Sequence, residues 1–123
     1  MELLYASRKT EEQCTNIKRA KRLFGGDAST AEKLLSRINA LEQAPNLKDI
    51  IIQPQFRFHK LEDKGKNKLK GYFAIDIKSK ASAWRLILQP LNNDKKPFDP
   101  CYIDEIAQIV EIIEIKEVSK DYE

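Results

Sequence analysis

Apolar and polar positions along this chain change their period near the middle. Before Pro45 the apolar residues recur every three or four positions, and beyond Gln55 they alternate. Residues 2–7 alternate loosely and predict a short edge strand. Thr10-Glu11-Glu12-Gln13 reads as a capping box, whose hydroxyl and amide serve backbone N–H groups left open at a helix start. Cys14, Ile17, Ala20 and Phe24 follow at near-helical spacing, and Gly25-Gly26 supplies a left-handed stop. A second box, Ser29-Thr30-Ala31-Glu32, opens a stronger helix. Its stripe is Ala31, Leu34, Leu35, Ile38 and Leu41, and Pro45 ends it. Two amphipathic helices joined at a two-glycine hinge must bury that stripe against another layer.

The second half supplies the layer. Residues 55–62 are strand-like, residues 63–68 make a polar lysine-rich turn, and residues 72–77 alternate with Phe73, Ile75 and Ile77 on one face. Trp84, Leu86 and Leu88 repeat the pattern, which turns Arg85 to the other side. Residues 90–100 hold Asn92-Asn93-Asp94 and three prolines and predict a loop. Residues 104–108 fit a turn of helix. Residues 109–118 are too β-branched for a comfortable helix and predict a strand with a bulge. Helices first and strands afterwards predict one α+β domain over residues 1–123, with the helices on one face of a largely antiparallel sheet. The opposite face, carrying Arg85 and Asp76, is expected to be open to solvent or a ligand.

Length and composition narrow the functional classes. A chain of 123 residues with 41% apolar and 33% charged residues supports one core. No apolar run reaches the roughly 20 residues that cross a bilayer, and Met1-Glu2-Leu3-Leu4-Tyr5 lacks a signal-peptide pattern. A cytoplasmic protein without membrane contact is expected. Cys14 and Cys101 form no CxxC pair and have no second histidine, so reduced structural thiols are expected in place of a zinc site. The chain has no P-loop, dinucleotide fingerprint or HExxH motif.

Charge is distributed unevenly. The whole chain carries +3, yet from Arg57 to Arg85 nine Lys or Arg face three acids. Such a field concentrates polyanions, RNA or DNA phosphate first among them. The only histidine, His59, stands inside it. With an ordinary pKa of about 6.5, histidine exchanges a proton near neutrality without much tuning. Bland readings compete at each position. A lone histidine on a strand is commonly a packing or surface residue, and lysines in a turn discourage strand-edge aggregation. Arg85 fits a structural ion pair with Asp76 across the sheet, and Trp84 reads as core or partner contact.

The order of several segments carries a family resemblance. AEKLLSRINALEQA (31–44), RFHKLE (57–62), LKGYFAIDI (69–77), WRLILQP (84–90) and IVEIIEIKEVSKDYE (109–123) resemble the HigB branch of the RelE/ParE toxin superfamily. That branch has an H-x-L segment, a K-G-x-[FW]-[AS]-[IVL]-x-[IVL] strand, an R-[LI] strand and a tail with Asp or His beside Tyr. The resemblance implies a RelE-like fold, two N-terminal helices packed on one face of a small curved sheet. It also implies a type II toxin that cuts messenger RNA in the ribosomal A site. A HigA-like helix-turn-helix antitoxin would hold it inactive and alone carry it to operator DNA.

Cleavage by the RNA's own 2′-hydroxyl needs a base, cations for the phosphorane and an acid for the leaving oxygen, with no metal or cofactor required. Carried onto this sequence, the resemblance points to His59, Lys70, Arg85, Asp121 and Tyr122 as the catalytic set. The surrounding Arg57, Lys60, Lys64, Lys66 and Lys68 are the expected RNA or ribosome contacts. The tail Ser119-Lys120-Asp121-Tyr122-Glu123 departs from the family pattern because it has no histidine. Asp121 is the candidate replacement, since a desolvated carboxylate can carry a proton, and Tyr122 either joins the chemistry or stacks on a base. Two alternatives accompany this set: a ParE-like inhibitor of DNA gyrase, and an inert member that only binds the antitoxin.

Overall fold

The structure, a computed structural model, describes residues 1–61 and 71–121. Its elements in chain order are β1 (Glu2–Tyr5), α1 (Arg8–Thr15), α2 (Ile17–Leu23), α3 (Ala28–Gln43), α4 (Lys48–Ile51), a 3₁₀ turn (Pro54–Phe56), β2 (His59–Lys60), β3 (Phe73–Asp76), β4 (Arg85–Leu91), α5 (Ile103–Ile106) and β5 (Ile112–Ser119). The fold is α+β with a mixed, open sheet of strand order β1-β5-β4-β3-β2. The middle pairs are antiparallel, whereas β1 lies parallel to β5, with Glu2 opposite Ile112 and Tyr5 opposite Ile115.

The helix starts differ from the sequence expectation for one reason, competition between neighbouring caps. Ser7, not Thr10, opens α1, its Oγ accepting from the Thr10 N–H at 3.1 Å. Thr10 is buried with Cys14, one turn along the same face, and that burial fixes the helix phase. Asp27, not Ser29, opens α3, taking the Thr30 N–H at 3.2 Å and the Thr30 hydroxyl at 2.8 Å. These bonds hold the Asp27 carboxyl below the usual carboxylate range.

The single first helix expected from the spacing is broken at Asn16. Its backbone is extended there, and its side-chain oxygen accepts from the Lys18 and Arg19 N–H groups, capping a new helix. The glycine stop holds. The Gly26 N–H reaches the Lys21 carbonyl at 2.7 Å and the Gly25 N–H that of Arg22 at 3.3 Å, with both glycines at positive φ.

The α3 stripe packs as the period predicts, with Ala31, Leu34, Ile38 and Leu41 buried against Phe73, Ile75, Ile77, Leu86, Leu88, Ile113, Ile115 and Val118 of the sheet. Each such aliphatic side chain contributes about 1.5–3 kcal/mol by leaving water. Trp84 joins this layer through an edge contact with Phe24, ring centroids 4.9 Å apart. Three expectations change in the second half. Residues 54–56 coil before β2 begins, so the strand there is only two residues long. Pro90 belongs to β4, opposite Ile113, and the loop starts after Leu91. The last strand begins at Ile112 and leaves Ile109 exposed, and Lys116 is the bulge residue between the Ile115 and Glu117 partners of β4. A short helix, α5, stands where a turn of helix was expected.

The sheet face away from the helices is not open where Arg85 and Asp76 lie. Leu61, Ala74 and Ile87 form a second apolar cluster with half-buried Tyr72, and Asp76, Arg85 and Ser119 are all buried.

Candidate functional site

On this second face a polar row crosses the sheet. The β3–β4 register puts Asp76 opposite Arg85, and the β4–β5 register puts Arg85 opposite Ser119. Arg57, two residues before His59, falls opposite Asp76 when the His59–Ala74 register is carried back two pairs. The Asp76 carboxylate thus lies between two guanidiniums. Arg57 Nε donates to Oδ2 at 2.8 Å, and Arg85 Nε stands 3.1 Å from Oδ1. The second contact is an ion pair without hydrogen-bond alignment, since Oδ1 accepts no aligned bond.

Arg85 is committed further. Its Nη atoms donate to the carbonyls of Ser79, Lys80, Ser82 and Trp84, which folds the β3–β4 connection around the guanidinium. The expected structural ion pair with Asp76 is therefore present, and the Asp76 and Arg85 side chains are 2% and 7% exposed. Removing one partner of such a pair strands a buried charge. From the helix layer, Arg37 Nε donates to the Asp76 carbonyl at 2.9 Å, and its guanidinium lies over Phe56 at 4.7 Å. Burial pulls the Arg37 pKa down, and the neighbouring Asp76 carboxylate opposes that shift.

The backbone at Arg57 ties the row to the histidine. Arg57 closes the 3₁₀ turn in the left-handed region, at φ 43° and ψ 54°, which is uncommon for a residue with a Cβ. From there its side chain reaches Asp76 while its carbonyl meets His59 Nδ1 at 2.7 Å. A carbonyl only accepts, so Nδ1 carries the proton and Nε2 of the neutral ring keeps its lone pair. Nε2 is buried and has no hydrogen-bond partner among the described residues. The ring is held at one nitrogen and poised at the other.

The remaining sequence candidates spread out. Lys60 is exposed beside His59, and Arg57 keeps 31% of its side chain accessible. Asp121 is exposed rather than desolvated, its backbone N–H held by Ser119 Oγ at 3.0 Å. No hydrogen bond or ion pair joins it to His59 among the described residues, and β2 and β5 stand three strand spacings apart, about 14 Å. Lys64, Lys66, Lys68, Lys70 and Tyr122 lie outside the described residues. Among those described, no three His, Cys, Asp or Glu side chains gather into a group that could hold a metal. Burial pushes the Cys14 thiol up to about 12.

Two contributors escaped the sequence reading. Asp76 was paired with Arg85 alone, although it also receives Arg57. Ser119 both completes the row and anchors the tail. A usable signal for Asp76 existed, because a single acid between Ile75 and Ile77 in a buried strand requires a cation. Comparison with family models, with curated proteins and with solved structures finds no match to this chain. No helix among the described residues is long and apolar enough to cross a membrane.

Proposed function

We propose that this chain is a toxin of a type II toxin–antitoxin pair, a cytoplasmic, ribosome-dependent endoribonuclease similar to the HigB branch of the RelE/ParE superfamily. The observation that carries the reading is the His59 ring, fixed through Nδ1 to the Arg57 carbonyl and bare at a buried Nε2 beside the two-arginine row. The α+β layering, with helices on one sheet face, is in keeping with it.

In the proposed reaction His59 Nε2 takes the proton of a ribose 2′-hydroxyl. The 2′-oxygen attacks the adjacent phosphorus, the P–O5′ bond breaks, and a 2′,3′-cyclic phosphate remains. The leaving 5′-oxygen takes a proton from Tyr122 of the tail, with Asp121 in a supporting role. Arg57 is the guanidinium of the row that solvent reaches, and it offsets the phosphorane charge. Arg85 acts as a positioning residue, holding Asp76 and the connection between β3 and β4. The basic residues Lys60, Lys64, Lys66, Lys68 and Lys70 are assigned to ribosomal or message phosphate. The partner is a HigA-like helix-turn-helix antitoxin.

A second reading, an inert antitoxin-binding member, draws on a specific observation: Arg85 is sequestered, and the tail has no histidine. One experiment separates the readings. Purified, antitoxin-free protein is added to a translation extract and message ends are mapped. Cuts at A-site codons support the ribonuclease. Intact message with arrested gyrase points to ParE-like action, and no effect at all points to the inert module.

A further inference from the structure

The end of the sheet away from the ion-pair row holds a cleft of which the reading above uses only Lys60. The end of β2, the start of β3, the end of β4 and the 97–102 loop enclose about 460 Å³, within the range of small-ligand sites, about 300–1,000 Å³. Gln89 lines it and is only 9% exposed. Its side-chain amide has no hydrogen-bond partner among the described residues, and its nitrogen lies over Gly71, 3.6 Å from where a Cβ would stand. Gly71 sits at φ +84°, so this open floor is natural only to glycine. The amide faces the cleft without a protein partner, so its donor and acceptor are available to a ligand.

The rest of the lining limits what that is. Tyr102 is 61% exposed and Phe98 half-buried, and together they offer apolar ring surface to a flat ligand. Lys60 adds one cation, and Asp99 one acceptor. Burial raises the Cys101 thiol pKa, and nearby Lys60 opposes the rise. A planar amide presents one donor and one acceptor side by side, which matches the two-point edge of a nucleobase. Exposed aromatic rings receive such bases by stacking, and a lysine next to them meets the attached phosphate.

We propose that this cleft binds a nucleotide unit, with the base against Phe98 and Tyr102, its edge on the Gln89 amide and its phosphate on Lys60. Asp99 accepts from an amine or hydroxyl of the nucleoside. The same chemistry comes from two sources, a free mononucleotide or one nucleotide of a single-stranded RNA. Binding here does not depend on cleavage at His59, so the two readings fail separately.

The test is titration of the full-length, ¹⁵N-labelled chain with AMP, adenosine, ribose 5-phosphate and a short 2′-O-methylated RNA, following the Gln89 side-chain amide signals. AMP is expected to shift those signals and ribose 5-phosphate to leave them unmoved. Gln89→Leu and Tyr102→Ala each weaken AMP binding about tenfold, the scale of a lost base contact. Lys60→Ala weakens AMP but not adenosine. Response to the RNA alone assigns the strand as the source, and response to both assigns the free nucleotide as sufficient. No response to any probe at millimolar concentration overturns the proposal, as does binding that is indifferent to both Gln89→Leu and Tyr102→Ala in variants whose melting is unchanged.

Discussion

At one end of the sheet Asp76, Arg57 and Arg85 engage one another, and the Arg85 guanidinium is further wrapped by four backbone carbonyls. At the other end Gln89, 9% exposed, lines a cleft and meets no hydrogen-bond partner among the described residues. His59 stands between the two regimes, one nitrogen engaged and one not. A satisfied buried group stiffens the fold and is costly to remove. A polar group that faces a cleft without a protein partner is open to a ligand. The contrast therefore separates residues that shape the protein from residues that would meet a substrate, and it moves Arg85 from the second class to the first.

The largest effect should come from breaking the ion-paired end. Asp76→Asn leaves Arg85 charged and buried without its counter-ion, and removing one partner of a buried pair typically costs about 3–5 kcal/mol. Urea denaturation should register that loss together with any loss of RNA cleavage. A stability change under about 1 kcal/mol, the scale of an exposed ion pair, would sink the structural role given to the row. The middle of the comparison is probed by His59→Ala. Loss of a general base lowers the rate about 10²–10⁴-fold, and the midpoint of unfolding should hardly move because the ring makes one hydrogen bond among the described residues. A fully active variant would remove His59 from the mechanism.

Asp121→Asn tests the tail next. Since Asp121 is exposed and far across the sheet, the loss in cleavage rate should stay below about tenfold, or 1.4 kcal/mol, with the shape of the pH–rate profile kept. A loss as deep as that of His59→Ala would show that the tail closes over the histidine and takes the place of the absent tail histidine. The smallest structural effect belongs to Lys60→Glu at the cleft end. Melting should shift by no more than about 0.5 kcal/mol in stability, while affinity for ribosomes falls and the log–log salt slope flattens by about one phosphate contact. An unchanged slope would relieve Lys60 of phosphate contact.

Where residues follow one another on a single element, the sequence was readable. The alternation of Phe73, Ile75 and Ile77, and of Trp84, Leu86 and Leu88, assigns the buried face directly, and the α3 stripe does the same for the helix layer. Cap positions were not readable to the residue, because Ser7 and Thr10, like Asp27 and Ser29, are equally able hydrogen-bonding side chains and tertiary burial chooses between them. The left-handed backbone at Arg57 has no local signature, since neither glycine nor asparagine marks it. For that reason Arg57 was placed among the RNA contacts and not beside Asp76. The cleft around Gln89 was equally hidden, for it arises where the 97–102 loop turns back beside β2 and β3, which lie far from it in sequence. Parallel pairing of β1 with β5 has no local code either.

That last pairing has a consequence for how the protein comes into being. Glu2 hydrogen-bonds to Glu111 and sits opposite Ile112, so β1 must wait for β5, made about 110 residues later. At a synthesis rate of about 5–20 residues per second, its edge stays unpaired on the order of 5–20 s. Over that interval the nascent helices can form locally, yet their apolar stripe has no sheet to cover. A chaperone that shields exposed apolar helix faces would find its client here, and a stall in translation before residue 112 would leave a chain able to aggregate but unable to assemble the row that holds His59 in place.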